Sequence, residues 1–245
     1  MTNNHLISIV GAGPGDPELL TVKAHQRLAK ADVVLFDALH GTEVLEIAPE
    51  NAIRIFVGKL QNDGQDQMER QNTIHQKMLE LAKLGKRVVR LKTGDPMVFG
   101  RGAEEIRFCK ENHLNYEVIP GITTAVAGSA LLEIPVTERG KSPMVLLYTG
   151  HRTDGSLSNI ESVVEVLKGG GTVSMYMGLK SIALLAKAVV EKGIDGEMPV
   201  HILSRVSQKD QAIFTSNLLH IQEEMENTSL KTPAIFMIGQ YANKI

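Results

Sequence analysis

Leu6-Ile7-Ser8-Ile9-Val10-Gly11-Ala12-Gly13-Pro14-Gly15-Asp16-Pro17-Glu18-Leu19-Leu20-Thr21 sets an apolar, β-branched run directly against a glycine-rich loop. The run Leu6 to Val10 reads as a strand. Glycines this dense let the backbone turn tightly or come close to a ligand, because there is no Cβ to clash. Asp16 and Pro17 fit the N-cap and first position of a helix, so helix initiation alone explains part of the loop.

Four more short runs follow at intervals: Val33 to Phe36, Ile53 to Val57, Arg87 to Leu91 and Tyr116 to Ile119. Between them Gln71, Ile74, Met78 and Leu81 repeat at helical spacing, and Ala103 to Cys109 and Thr124 to Leu132 are rich in helix formers. Strands alternating with helices predict an α/β fold with a largely parallel sheet. The polar stretch 137–142 interrupts this pattern and reads as a linker between an N-terminal domain, 1–136, and a C-terminal α/β domain, 143–245. In the latter, Met144 to Tyr148, Thr172 to Tyr176, Val200 to Leu203, Ala212 to Thr215 and Ala234 to Ile238 read as strands. Ile182 to Glu191 and Leu218 to Met225 read as helices.

Composition narrows the function classes. The 245 residues are 43% hydrophobic and 22% charged, as in ordinary globular proteins. The 26 basic and 28 acidic residues are interspersed, leaving no basic stripe of the kind nucleic acid requires. The lone Cys109, the polar start and the lack of a long apolar run point to a reducing cytoplasm. No His-x-x-x-His or Cys-x-x-Cys cluster is present, so no metal is expected.

A second loop, Lys92 to Gly102, also follows a strand and precedes a helical stretch. In open α/β sheets ligands collect beyond the carboxyl ends of the strands, so both loops are expected at one ligand-binding edge. Nicotinamide binding is one reading, since a glycine-rich turn follows the first strand and Asp37 ends the second. Against it, Asp16 stands where the third fingerprint glycine belongs, and a carboxylate there would repel a pyrophosphate.

The motifs together are more specific than either loop. Gly11 to Thr21 resembles the first signature of the tetrapyrrole methyltransferases. Arg90-Leu91-Lys92, Gly94-Asp95-Pro96 and Phe99-Gly100-Arg101-Gly102 resemble the second, in the form typical of the uroporphyrinogen-III C-methyltransferases. Pro120 to Thr123, Ile134 to Thr137, Thr149-Gly150-His151, Tyr176-Met177-Gly178 and Thr232-Pro233-Ala234 are similar to further family motifs. The resemblance implies two α/β domains with S-adenosyl-L-methionine in the cleft between them, usually as a homodimer. It implies methylation of uroporphyrinogen III at C2 and C7 to precorrin-2, for sirohaem or cobalamin synthesis. A precorrin or cobalt-precorrin methyltransferase and a non-catalytic binding module remain alternatives.

The resemblance also assigns residues. Pro14, Thr93, Gly94, Asp95, Val98, Thr123, Thr124, Met177, Val206 and Ala234 match positions around the cofactor. Asp37 and Lys59 match the proposed proton acceptor and donor. The substrate carries eight carboxylates, for which Arg101, Arg139, His151 and Arg152 are the candidate partners. Plain structural roles stand beside these: a turn cap for Asp37, a solvated side chain for Lys59, an ion pair with Glu104 or Glu105 for Arg101, and core filling for Met177. Thr93 and Val206 replace family glycines; a Cβ at residue 93 crowds the cofactor unless its backbone is ordinary.

Overall fold

The computed structural model describes residues 6–37, 42–58, 67–150 and 156–242. Two compact units divide at Thr123 and Thr124, not at the polar stretch 137–142. The helix Thr124–Leu132 (called α4 below) therefore belongs to the second unit. The segment after it is tied there as well, since the Ser142 hydroxyl lies 3.2 Å from that of Thr172.

In the first unit the strands are β1 (Ile7–Gly11), β2 (Val33–Phe36), β3 (Ile53–Phe56), β4 (Val88–Lys92) and β5 (Tyr116–Ile119). They form one sheet in the order β3-β2-β4-β1-β5, and every pairing is parallel. A parallel sheet needs cover on both faces. α1 (Val22–Leu28) and a 3-10 helix, Thr42–Ile47, bury Val10, Val34, Val89 and Leu91 on one face. α2 (Gln67–Lys83) and α3 (Gly102–Glu111) bury Ile7, Ile9, Val33, Leu35 and Val88 on the other. Because side chains alternate across a strand, residues 88, 90 and 92 of β4 face α2 and α3, as do 33 and 35 of β2.

In the second unit α4 is followed by β6 (Val145–Thr149), α5 (Ile160–Lys168), β7 (Thr172–Tyr176) and α6 (Ile182–Glu191). Then come β8 (Pro199–Ser204), β9 (Ala212–Asn217), α7 (Ile221–Asn227) and β10 (Ala234–Ile238). The sheet order is β6-β7-β10-β8-β9. Only β6 and β7 pair in parallel; β10 runs antiparallel between β7 and β8, and β9 is antiparallel to β8. α5 follows from Val163, Val164 and Leu167, which share one face and are buried in this unit's core.

Candidate active site

Three loops of the first unit are knitted at the carboxyl ends of β1, β4 and β5. Ala12 N donates to Lys92 O at 2.7 Å, and Gly13 and Gly94 exchange hydrogen bonds, Gly94 N to Gly13 O being 2.8 Å. The Asp95 carboxylate accepts from Met97 N at 2.8 Å and from Gly121 N at 3.0 Å, joining the β4 loop to the β5 loop. The backbones touch: a Cβ on Gly121 would stand 2.2 Å from Gly94 O and 2.8 Å from Gly11 Cα. Thr123 Cα comes within 3.8 Å of a Cβ built on Gly94. Pro14, Thr93, Gly94, Asp95, Val98 and Thr123 are thus gathered along one edge, which fits a ligand bound mainly through main-chain groups.

Gly94 carries the left-handed backbone at φ 68°, and Thr93 does not. Threonine is therefore tolerated at the position where the family has glycine. Asp16 faces inward along its own chain: its carboxylate accepts from Glu18 N at 2.8 Å and caps the 3-10 turn Pro17–Leu19. The helix-initiation reading of Asp16 and Pro17 is what forms, and Thr21 then caps α1 by accepting from Ala24 N at 3.2 Å.

Asp37 follows β2 at the same edge, on the face covered by α2 and α3, with its side chain 34% exposed. Arg90 Nη2 donates to both Asp37 oxygens at 2.8 Å. The same guanidinium, 2% exposed, reaches back through Nε to Glu105 Oε1 at 3.0 Å and through Nη1 to Leu91 O at 3.1 Å. Lys92 Nζ lies 2.8 Å from Glu105 Oε1 and 4.0 Å from Asp37 Oδ2. Gln71 Nε2 adds a long contact to Glu105 Oε1 at 3.5 Å. Burial pushes Lys92 below the ordinary lysine value, and neighbouring Arg90 adds to this against the pull of Glu105 and Asp37. Burial also works against charge on Arg90, but Glu105 and Asp37 outweigh it and its pKa is raised. Asp37 is legible in the sequence as a site residue; the roles of Arg90, Lys92, Glu105 and Gln71 are not. The readable signal was charge at positions 90 and 92 of an otherwise apolar strand.

Among the substrate candidates, Arg101 forks onto Glu104, with Nε to Oε1 at 3.0 Å and Nη2 to Oε2 at 2.7 Å. The ion-pair alternative for Arg101 is thus present, and its backbone is left-handed at φ 58°. Arg139 is exposed in the turn closed by Glu138 and Ser142. Lys59, His151 and Arg152 lie outside the described residues.

The second unit gathers its own set. Because β8 and β7 both run antiparallel to β10, the ends of β6, β7 and β8 share an edge with the start of β10 at Ala234. Met177 and Val206 follow β7 and β8 at that edge, and Ala234 pairs with Ser204. Thr124 begins α4, whose Ala125 N donates to the Tyr176 hydroxyl at 3.1 Å. Met177 is 50% exposed with φ 53°, so it does not fill the core as its plain alternative had it. Val206 is buried, and its side chain packs toward Gly128 of α4.

The family profile described as Tetrapyrrole (Corrin/Porphyrin) Methylases matches residues 6–222. The chain belongs to this family. A tetrapyrrole methylase from Bacillus subtilis (strain 168), the uroporphyrinogen-III C-methyltransferase, is 38% identical over 239 residues, 97% of this chain and 91% of that one. The sirohaem synthase of Psychrobacter sp. (strain PRwf-1) is 40% identical over 236 residues, 96% of this chain and 47% of that one. The chain therefore spans about half the length of the sirohaem synthases it matches. Among solved tetrapyrrole methylases, the uroporphyrin-III C-methyltransferase from Thermus thermophilus, complexed with S-adenyl homocysteine, superposes with a TM-score of 0.80 at 32% identity. That alignment covers 96% of this chain and 92% of that one. The superposition shows that the chain shares the α/β fold of that structure.

Proposed function

We propose that the chain transfers methyl groups from S-adenosyl-L-methionine to C2 and C7 of uroporphyrinogen III, giving precorrin-2. The observation that carries this is the near-complete, two-way match to an enzyme of that name in Bacillus subtilis. It is supported by the main-chain hydrogen bonds that draw the loops after β1, β4 and β5 together. The donor arrives already activated as a sulfonium, so the protein's work is alignment and exclusion of water. The electron-rich ring carbon takes the methyl carbon as the carbon–sulfur bond breaks, and the macrocycle, now cationic, must lose a proton.

Asp37 is assigned to accept that proton, and Lys59 to act as the acid partner. Cofactor contacts are assigned to Pro14, Thr93, Gly94, Asp95, Val98 and Thr123 in the first unit, and to Thr124, Met177, Val206 and Ala234 in the second. Arg101, Arg139, His151 and Arg152 are assigned to the carboxylates of the substrate, Arg101 by exchanging Glu104 for a substrate group. A cytoplasmic homodimer completes the reading; among the described residues no helix is long and apolar enough to cross a membrane.

The test is anaerobic incubation of the purified protein with uroporphyrinogen III and S-adenosyl-L-methionine, followed by product mass. Two added methyl groups establish the activity. No addition, with S-adenosylhomocysteine still bound, moves the assignment to a later tetrapyrrole.

A further inference from the structure

Four charged groups that normally seek water meet under α2 and α3: Asp37, Arg90, Lys92 and Glu105. Their formal charges cancel, with two cations facing two carboxylates. Three of them, Arg90, Lys92 and Glu105, have at most 4% of the side chain exposed, and Glu105 has none. Burying charges this deeply is rarely the most stable solution for a core, since packed apolar side chains of the same volume do as well or better. Packing alone therefore gives no reason for them.

The geometry has a direction. All the donors that reach Glu105 converge on one oxygen, Oε1: Arg90 Nε at 3.0 Å, Lys92 Nζ at 2.8 Å and Gln71 Nε2 at 3.5 Å. Fixing Nε leaves a planar guanidinium no freedom but rotation about its own bond, and Nη1 is held by Leu91 O at 3.1 Å. Nη2 then has one place to be, 2.8 Å from each oxygen of Asp37. Asp37 sits beyond the end of β2 and is the only member of the four that is substantially exposed. A carboxylate just past a strand end has rotamers to spare unless something holds it.

We propose that Glu105 is a positioning residue for Asp37: from the first turn of α3 it locks Arg90, and through Arg90 it sets the orientation in which Asp37 meets the substrate. This rests on the reading of Asp37 as proton acceptor. Lys92 shares the anchor and keeps the group electrically neutral. Lysine in place of Arg90 would present a single flexible ammonium rather than a rigid fork, so it would not carry a fixed direction from Glu105 to Asp37.

The experiment compares Glu105→Gln and Glu105→Asp with the parent protein, each in the natural and the Asp37→Asn background. Glu105→Gln keeps the shape and removes the charge; Glu105→Asp keeps the charge and loses the reach. For both, kcat for methyl transfer is expected to fall about 10- to 100-fold, the size of effect a misplaced catalytic group produces. KM for uroporphyrinogen III and the Kd for S-adenosylhomocysteine should stay within about twofold, as no ligand contact is lost. In the Asp37→Asn background neither change should lower the residual rate further.

If Glu105→Gln fails to fold, Glu105→Asp carries the test, because it leaves the buried charges balanced. A parent-like kcat in Glu105→Asp, or an equal fall in both backgrounds, overturns the proposal and makes Glu105 a structural charge. Parent-like turnover in Asp37→Asn itself overturns the assignment of Asp37, and with it the route through which Glu105 acts. Slow turnover in Asp37→Asn with parent-like Glu105 variants overturns this inference alone.

Discussion

A single nitrogen of Arg90, Nη2, stands 2.8 Å from both carboxylate oxygens of Asp37. The guanidinium that supplies it is buried and charged, and it depends on Asp37 and Glu105 together for compensation.

Removing that guanidinium should therefore be felt throughout the first unit. Arg90→Met leaves Glu105 with Lys92 as its one remaining cation and frees Asp37, and is expected to destabilise by ~3 kcal/mol, the scale for breaking a buried ion pair. Urea unfolding of the variant against the parent measures it; a loss under about 1 kcal/mol would mean the site is wetter than its burial indicates.

Asp37→Ala takes away the assigned proton acceptor without touching the glycine-knit edge. The rate of methyl transfer is expected to fall by about 10²–10⁴-fold, the usual range for a general base. Calorimetric titration with S-adenosylhomocysteine should give an unchanged affinity, and unchanged turnover would remove Asp37 from the mechanism.

Glycines at 85 and 121 provide a matched pair. Gly121→Ala drives a methyl group to 2.2 Å from Gly94 O, so backbone must move and the three loops part. Loss of S-adenosylhomocysteine binding together with a stability loss of more than about 2 kcal/mol is expected. Gly85 has φ 69° but nothing within 4 Å of a new Cβ, so Gly85→Ala should cost only ~1 kcal/mol of backbone strain and leave binding intact.

Acid should find a weak point on the opposite face of the first sheet. Glu117 of β5 is nearly buried, which raises its pKa, but Arg27, Lys23 and Ser8 outweigh this and hold it down from an ordinary 4.5 to about 2. A depressed carboxylate contributes stability above its unfolded value and loses it as pH falls toward the folded one. The contribution, on the order of 2 kcal/mol after screening of the partly exposed Lys23 and Arg27, should disappear between about pH 4.5 and 2. Chemical denaturation of Glu117→Gln and the parent across that window should show a gap at neutral pH that closes as the solution is acidified.

For Arg101, exposure and the Glu104 pair predict almost no effect of Arg101→Ala on folding, below ~1 kcal/mol. Its assignment to the substrate predicts a raised KM for uroporphyrinogen III with the cofactor affinity kept. Parent-like kinetics would leave Arg101 as the partner of Glu104 and nothing more.

Much of the framework is readable locally. β2, β5, β7 and β10 and the helices α4 and α6 have the bounds their apolar runs predict. α5 is not legible from its apolar run, although Val163, Val164 and Leu167 carry the spacing and Asn159 and Gly169 stand at its two caps, because at 9 residues the stretch is short. The division at Thr123 and Thr124 was not legible either, because membership of α4 is decided by its packing on the second sheet, where Gly128 meets Leu203 and Val206. The strand order is likewise a tertiary fact: nothing in Ala234 to Ile238 says that it slides between β7 and β8. At the site, the glycine loops declared themselves through composition. The burial and pairing of Arg90, Lys92 and Glu105 did not, since charged residues are read by default as surface, and their compensation comes from three separate elements.

β1 lies between β4 and β5, with Ile7 facing Val88 on one side and Tyr116 on the other. Within the first unit β1 is thus made before both of its neighbours, and its second edge is covered only once β5 follows. Until residues 116–119 have been synthesised, an apolar ribbon of five residues has at least one naked edge, and for much of that time it has two. Parallel pairings across such sequence distances form slowly. An unpaired edge of this kind is where a half-made unit is open to aggregation, so fast overexpression should favour inclusion bodies over folded protein.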